Sequence, residues 1–233
     1  MNLYTIGDPH LSFGCDKPMD IFKGWENYVS RFEQNWQETV KPEDTVVIVG
    51  DISWAMNFED AKPDFAFLHG LNGTKIILKG NHDYWFVTKT KVENFLKENE
   101  FDSIKILFNN CYEYGNYAIC GTRGWVNEQV SAQSGNTQDK KVLLREAGRL
   151  RTSLACAKEL GKQPIAFLHY PPVYYINECK EIIDVLNEYD VKKCYYGHIH
   201  GAGHSYAIDG VYQGIKYRLV SCDYTQFRPV KVL

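Results

Sequence analysis

Residues 77–85, ILKGNHDYW, join a short apolar run to a glycine, an amide, an imidazole and a carboxylate. Glycine and asparagine are ordinary turn residues, because they tolerate backbone conformations that most other residues avoid. A histidine and an acid directly beside them, followed by large aromatic side chains, are unusual for a plain loop. The end of this predicted strand therefore indicates a chemical role as well as a turn.

Other apolar runs along the chain end in similar polar breaks. These breaks are Gly7-Asp8-Pro9-His10, Gly50-Asp51, His169 and Gly197-His198-Ile199-His200. Together with Gly80-Asn81-His82-Asp83, they contain five of the seven histidines of the chain. Ligands of open α/β sheets bind beyond the carboxyl ends of the strands, so we expect all five breaks to face one cleft.

The residue types in these breaks favour a metal site. Asp8 and His10 are two residues apart, as are His198 and His200, and in extended backbone that spacing places both side chains on one side. Imidazole, carboxylate and amide groups without a thiolate suit manganese, iron or zinc rather than a structural cysteine-zinc site. The candidate ligands are too many for one tetrahedral ion, but they suffice for two divalent ions that share a bridging carboxylate.

Hydrophobic periodicity predicts alternating strands and helices. The predicted strands are Leu3 to Ile6, Thr45 to Val49, Lys75 to Leu78, Ile104 to Phe108, Tyr117 to Cys120, Ile165 to Leu168, Lys193 to Tyr196 and Tyr217 to Cys222. The predicted helices are Trp25 to Val40, Thr88 to Lys97, Lys141 to Leu160 and Cys179 to Glu188. This alternation predicts an α/β fold. The strands from residue 193 onward leave little room for helices, so we expect antiparallel pieces near the end.

Composition limits the partners of the chain. The 26 basic and 29 acidic residues nearly cancel, so no overall field favours nucleic acid or an anionic membrane. No apolar run approaches the ~20 residues of a transmembrane helix, and the first residues are typical of a strand rather than of a signal peptide. We therefore expect one domain of 233 residues, with no membrane partner and no nucleic-acid partner, in an oligomeric state that the sequence leaves open.

The seven cysteines include no Cys-x-x-Cys pair, so the sequence does not predict a disulfide framework. This cysteine usage favours a reducing, cytoplasmic location. Cys120, Cys194 and Cys222 lie in apolar runs that are typical of strands, and we expect them to be buried as small hydrophobic residues.

Four further residues are candidate substrate contacts. Residues 121–138 are polar and aperiodic, which predicts a long loop that could form a small cap. Arg123 near its start could grip a phosphate, the alternative being a surface salt bridge. Trp54 and Tyr84 directly follow polar breaks and either line a pocket or pack in the core. His204 either contacts the substrate or is a solvated loop residue.

In this order, the five breaks resemble the five motif blocks of the calcineurin-like metallophosphoesterases, and they extend over residues 7 to 200. The resemblance implies a four-layer α-β-β-α sandwich, in which two mixed sheets pack together with helices outside. It also implies that residues 1–233 form a single metallophosphoesterase domain.

The same resemblance assigns roles to individual residues. The implied ligands are Asp8, His10 and His200 for the first ion and Asn81, His169 and His198 for the second, with Asp51 bridging the two. His82 would lie near the ions without binding them and would protonate the leaving alkoxide, while Asp83 would orient its ring. The implied reaction is hydrolysis of a phosphomono- or phosphodiester by attack of a metal-bound hydroxide.

Differences from the motifs of related enzymes narrow the range of expected substrates. Protein Ser/Thr phosphatases carry a glycine where this chain has Leu11 and an arginine where it has Lys79. A nuclease of the double-strand-break repair type would be expected to have a capping domain and a positive path for the backbone. A small-molecule or nucleotide phosphoester is therefore favoured. The alternative from another class is a scaffold subunit without catalysis, which the complete set of implied ligands disfavours.

Overall fold

The structure is a computed structural model that describes residues 1–125 and 137–233. Its contacts divide the chain into two compact units, the first formed by residues 1–106 and 220–233 and the second by residues 107–219. Each unit contains one large sheet with its own helices. The single domain expected over residues 1–233 stays a prediction.

The first unit contains a five-stranded sheet in the order β13-β1-β2-β3-β4. Its strands are β1 (Leu3–Ile6), β2 (Thr45–Ile48), β3 (Thr74–Ile77), β4 (Ile104–Ile106) and β13 (Val230–Lys231). Its helices are α1 (Tyr28–Thr39), α2 (Phe58–Gly70) and α3 (Lys89–Glu98). Strands β1 to β4 are parallel and β13 pairs with β1 in the antiparallel sense, so the sheet is mixed.

The sequence explains these elements directly. Strands β1, β2 and β3 are almost wholly buried, which is the environment in which parallel strands consist of continuous apolar runs. Helix α1 buries Tyr28, Phe32 and Trp36, which recur every fourth residue on one face. The Thr88 side chain accepts a hydrogen bond from the Lys91 N–H and so caps the start of α3.

The second unit contains a six-stranded sheet in the order β11-β12-β10-β7-β6-β5. Its strands are β5 (Cys111–Tyr114), β6 (Tyr117–Thr122), β7 (Gln163–Leu168), β10 (Lys193–Tyr196), β11 (Gly210–Tyr212) and β12 (Ile215–Leu219), beside a small hairpin of β8 (Val173–Tyr174) and β9 (Asn177–Glu178). Its helices are α4 (Thr137–Glu159), α5 (Lys180–Glu188) and a 3-10 helix (Gly201–Tyr206). Four central strands are parallel, and the edge strands β5 and β11 are antiparallel to their neighbours.

The expected α/β class with two mixed sheets is confirmed, and β11 with β12 supplies an antiparallel piece near the end. The sequence missed helix α2 and the short strands β5, β8, β9, β11 and β13. The range 121–138, expected to be a loop, overlaps regular structure at both ends, because β6 continues to Thr122 and α4 begins at Thr137. The cap predicted there falls on residues 126–136, which lie outside the described residues.

The cysteines follow the expectation only in part. Cys120, Cys194 and Cys222 are fully buried, as predicted. A disulfide joins Cys111 in β5 to Cys156 in α4, with their Cα atoms 5.9 Å apart, and the sequence pattern did not predict it. The two cysteines are 45 residues apart and come together only because α4 lies against β5, so no short spacing could reveal the pair. The cytoplasmic location stays a prediction.

Helix α2 fixes two loops of the first unit through one buried acid. The carboxylate of Asp64 is fully buried and accepts hydrogen bonds from the Phe13 N–H, at 2.8 Å, and from the Ser53 hydroxyl. Phe13 lies three residues after His10, and Ser53 lies two residues after Asp51. Burial raises the pKa of Asp64 to about 6, although both hydrogen bonds oppose the rise.

Replacing Asp64 should change how stability depends on pH. The folded protein holds a proton on Asp64 up to about pH 6, whereas an unfolded aspartate loses it near its ordinary pKa of 3.8. Stability from this group is therefore present below about pH 4 and is lost as the pH rises to 6. We expect the unfolding free energy of the wild type to fall by about 1–3 kcal/mol relative to Asp64→Asn over this range.

Urea unfolding at pH 4, 5, 6 and 7 measures this difference. Asp16→Asn is the matched control, because Asp16 is exposed. A constant difference between wild type and Asp64→Asn across the four pH values would show that the buried carboxyl group does not carry the effect.

Candidate metal centre

The first unit brings three polar breaks to one edge of its sheet. Because β1, β2 and β3 are parallel neighbours, the residues that follow them lie at the same edge. The breaks are tied together through the backbone, since the Asp8 N–H donates to the Gly50 carbonyl and the His10 N–H to the Asp51 carbonyl, both at 3.0 Å. Asp8, His10 and Asp51 are buried, and His10 Nε2 lies 3.7 Å from Asp51 Oδ2.

Four candidate ligands have left-handed backbone conformations. The φ angles are 56° at Asp8, 47° at His10, 48° at Asp51 and 71° at His198. Residues other than glycine reach this region at a cost of roughly 1–3 kcal/mol each, and such residues cluster at functional sites. The surrounding structure therefore forces these side chains into orientations that an ordinary turn would not require.

Gly80 allows the third break to wrap around Asp51. A Cβ atom at position 80 would lie 2.1 Å from Asp51 Oδ1 and 2.2 Å from the Asp51 backbone nitrogen, which no side chain tolerates. The same Asp51 Oδ1 accepts a hydrogen bond from the His82 N–H at 2.8 Å. The carboxylate of Asp51 is therefore held in place by the turn Gly80-Asn81-His82-Asp83.

The contacts of Asp83 are mainly to backbone N–H groups. Its carboxylate accepts hydrogen bonds from the N–H groups of Gly80 at 2.7 Å and Ile52 at 2.8 Å, and from Trp85 Nε1 at 3.0 Å. It therefore joins the Gly80 turn to the backbone that follows Asp51, and the ring of His82 is not among its described partners. Burial, with the Asp51 carboxylate as a second cause, raises the pKa of Asp83 to about 7.

The ring of His82 lies among aromatic side chains. Trp54 stacks on His10, with ring centroids 4.8 Å apart, and its centroid is 4.4 Å from that of His82. Trp54 is half-buried and donates from Nε1 to the sulfur of Met19. Tyr84 contacts His82 edge-on and remains 52% exposed. Trp54 therefore positions two histidines, whereas Tyr84 is open to a ligand.

The second unit places its polar breaks after β7 and β10. These strands are parallel neighbours, and the rings of His169 and His198 lie with centroids 5.0 Å apart. Tyr170 packs against both rings, at 5.2 and 4.4 Å. His200 immediately precedes the 3-10 helix Gly201–Tyr206, which carries the half-buried His204. His169 and His198 are thus neighbours at the end of one sheet.

Arg123 lies at the end of β6, next to His169. Its carbonyl accepts hydrogen bonds from the N–H groups of His169 at 3.2 Å and Tyr170 at 2.8 Å. Its guanidinium lies over the ring of Trp125 at 4.7 Å and is 3.5 Å from Glu146. The surface salt bridge considered from the sequence is therefore a partly buried contact, since Glu146 is fully buried.

Glu146 is a buried polar residue of this region for which the sequence analysis predicted no role. It lies in α4 on the same apolar stripe as Leu143, Leu150 and Leu154, all of them buried. An acid at a position that helical periodicity assigns to the core is a signal that could have identified it.

The chain matches the model of a known sequence family. The sequence model described as calcineurin-like phosphoesterase matches residues 1–202. The chain belongs to the calcineurin-like phosphoesterase family. This membership supports a metal-dependent hydrolase of phosphoesters, and dimetal centres are a property of the family.

Solved structures share the fold at low sequence identity. A phosphopantetheinyl hydrolase from Mycobacterium tuberculosis matches with a TM-score of 0.55 and 13% identity, over 100% of this chain and 95% of that one. A protein of unknown function from Aquifex aeolicus matches with a TM-score of 0.52 and 18% identity, over 99% and 95%. A protein from Thermus thermophilus matches with a TM-score of 0.52 and 14% identity, over 85% and 81%. No curated protein matches the chain.

The described residues include two groups of acidic and histidine side chains that could hold metal ions. Their donor atoms are oxygens and imidazole nitrogens, which suits the divalent ions expected from the sequence. None of the helices among residues 1–125 and 137–233 is both long enough and apolar enough to cross a membrane.

Gly80→Ala should disturb the position of Asp51. The new methyl group would meet the backbone of Asp51, which cannot move aside as a flexible side chain could. We expect a loss of roughly 1–3 kcal/mol in unfolding free energy and a reduced content of bound metal. Urea unfolding and elemental analysis by mass spectrometry measure the two effects.

Gly70→Ala is the matched control, because a Cβ atom at position 70 would meet nothing within 4 Å. A Gly80→Ala protein with the stability and metal content of the control would contradict the close approach to Asp51.

Proposed function

We propose that this protein is a dimetal-dependent phosphoesterase that hydrolyses a small-molecule or nucleotide phosphoester. The observation that carries the proposal is the buried Asp51 carboxylate, which the Gly80-Asn81-His82-Asp83 turn holds beside His10. A buried carboxylate next to an imidazole is costly unless a positive charge compensates it, and a divalent ion supplies that charge.

The proposed ligands are those implied by the sequence. The first ion would be held by Asp8, His10 and His200, the second by Asn81, His169 and His198, and Asp51 would bridge the two. The metal-binding potential of the acid and histidine groups supports this assignment, and so does the left-handed backbone at four of the seven residues. Manganese, iron and zinc all suit the donor set, which contains no thiolate.

Divalent ions held by these residues would neutralise phosphate charge and would lower the pKa of bound water. The remaining chemistry falls to the side chains of this chain. His82 is the proposed proton donor to the leaving oxygen, because its backbone is fixed by Asp51 and its ring by Trp54. Its Nδ1 is buried and has no hydrogen-bond partner among the described residues.

The proposed substrate is a small molecule. The near balance of acidic and basic residues disfavours a nucleic-acid partner, and the exposed Tyr84 beside His82 offers a surface for a flat or apolar leaving group. One neighbour in fold is called a phosphopantetheinyl hydrolase, and its name is consistent with small phosphoester chemistry on this fold. The complete donor set disfavours a scaffold subunit without catalysis.

Hydrolysis of two simple esters tests the reaction. Metal-stripped protein is refilled with manganese and given p-nitrophenyl phosphate or bis-p-nitrophenyl phosphate, beside an Asp51→Asn variant. We expect turnover by the wild type and a loss of at least about 100-fold in the variant, because the lost charge frees both ions. Elemental analysis should give two metals per chain in the wild type and fewer in Asp51→Asn. A wild type that binds no metal and cleaves neither ester would overturn the proposal.

His82→Ala should separate proton donation from metal binding. An alkyl leaving group needs a proton, whereas p-nitrophenolate is a stable anion and needs little help. We expect the variant to keep both metals and to lose about 100-fold or more in kcat on glycerol phosphate, but less than about 10-fold on p-nitrophenyl phosphate.

His69→Ala is the control. His69 lies near the end of α2, its ring is hydrogen-bonded to Ser103, and it belongs to none of the five polar breaks. Equal losses on the two esters would exclude His82 as the proton donor. A loss of metal would show instead that His82 supports the ligands.

A further inference from the structure

A network of one buried acid and two partly exposed arginines lies in the second unit. Glu146 is fully buried in α4. It accepts a hydrogen bond from the Thr122 hydroxyl at 2.6 Å and from Arg149 at 2.5 Å, and its Oε1 is 3.5 Å from an Arg123 nitrogen. Thr122 is the last residue of β6 and Arg123 follows it, so α4 is linked to the strand end that adjoins His169.

The charges of this network do not cancel. Among the described residues, one carboxylate faces two positively charged guanidinium groups. Arg149 makes the short contact with Glu146, and its guanidinium lies over the ring of Phe108 at 4.8 Å. Arg123 makes the longer contact, so it is the arginine whose charge is less completely compensated.

The position of Arg123 is fixed on several sides. Its carbonyl accepts the N–H groups of His169 and Tyr170, its guanidinium covers the face of Trp125, and one terminal nitrogen points to Glu146. Its Nε is buried and has no hydrogen-bond partner among the described residues. A buried N–H of a charged group without an acceptor is costly, and the fork of an arginine matches phosphate oxygens.

We propose that Arg123 binds a phosphate oxygen of the substrate and that Glu146 is its positioning residue, so that the enzyme prefers phosphomonoesters. This inference rests on the proposed phosphoesterase function. A monoester carries close to two negative charges near neutral pH and has three nonbridging oxygens, whereas a diester carries one charge and has two. An additional fixed cation therefore stabilises the monoester more than the diester.

Two readouts test the assignment with the manganese-loaded protein at pH 7.5. The first is the Kd of inorganic phosphate from isothermal titration calorimetry. The second is kcat/KM on p-nitrophenyl phosphate and on bis-p-nitrophenyl phosphate. For Arg123→Lys we expect phosphate to bind about 10-fold more weakly, because lysine keeps the charge but loses the fork. We expect kcat/KM to fall about 10-fold on the monoester and less than about 3-fold on the diester.

The role of Glu146 is tested by two variants of different chemistry. Glu146→Gln removes the charge, and Thr122→Val removes the hydrogen bond that fixes the carboxylate. Both variants should weaken phosphate binding and should lower kcat/KM more on the monoester than on the diester, as Arg123→Lys does. The double variant of Glu146→Gln with Arg123→Lys should be no worse than Arg123→Lys alone, because the acid acts through the arginine.

Arg145→Gln is the matched control, because Arg145 is exposed and adjoins Glu146 in the same helix. Phosphate affinity in Arg123→Lys equal to that of the wild type would overturn the proposal, and so would an equal fall on the two esters. A wild type that cleaves neither ester would count against the phosphoesterase function. In that case the phosphate affinities of wild type and Arg123→Lys would still decide whether Arg123 binds phosphate.

Discussion

The carboxylate of Asp51 organises the polar edge of the first sheet. The turn after β3 can approach it only because residue 80 has no side chain, and the N–H of His82 then bonds to it. Asp83, in the same turn, bonds to the backbone that follows Asp51, so the two loops fix each other. One close contact between neighbouring strand ends therefore determines where His82 lies and how the Asp51 carboxylate is oriented.

Burying the carboxylates of this edge costs electrostatic free energy, which other groups must offset. Asp8 and Asp51 are buried, and moving a carboxylate out of water is costly unless positive charge and hydrogen bonds stabilise it. Strained backbone at both residues adds to the cost. A fold retains such features when they serve a ligand, and divalent ions with oxygen and imidazole donors offset both contributions. For this reason the burial and the strain are stronger arguments for a metal centre than the residue types alone.

The sequence predicted the elements whose stabilisation is local and missed those that depend on distant contacts. The burial of strands β1 to β3 can be read from their continuous apolar runs, and that of helix α1 from the spacing of its apolar residues. Helix α2 contains Pro63 and has a weak apolar pattern; its stability comes partly from Asp64, which bonds to loops far away in sequence. The motif residues could be found because they directly follow strands. The contact between Asp83 and Ile52 could not, because Ile52 follows a different strand.

Glu146 could be identified from the sequence by combining helical periodicity with the chemistry of a buried acid. Its position on the apolar stripe of α4 predicts burial, and a buried acid needs hydrogen-bond donors or cations nearby. The helix supplies one of them, Arg149, a single turn away, whereas Arg123 comes from the end of β6 and depends on the packing of α4 against that strand. Two cations around one buried acid leave charge for a third, anionic group. The backbone carbonyl of Arg123 accepts the N–H of His169, so this arginine and a proposed metal ligand follow neighbouring strand ends, which is why Arg123 is the residue proposed to bind phosphate.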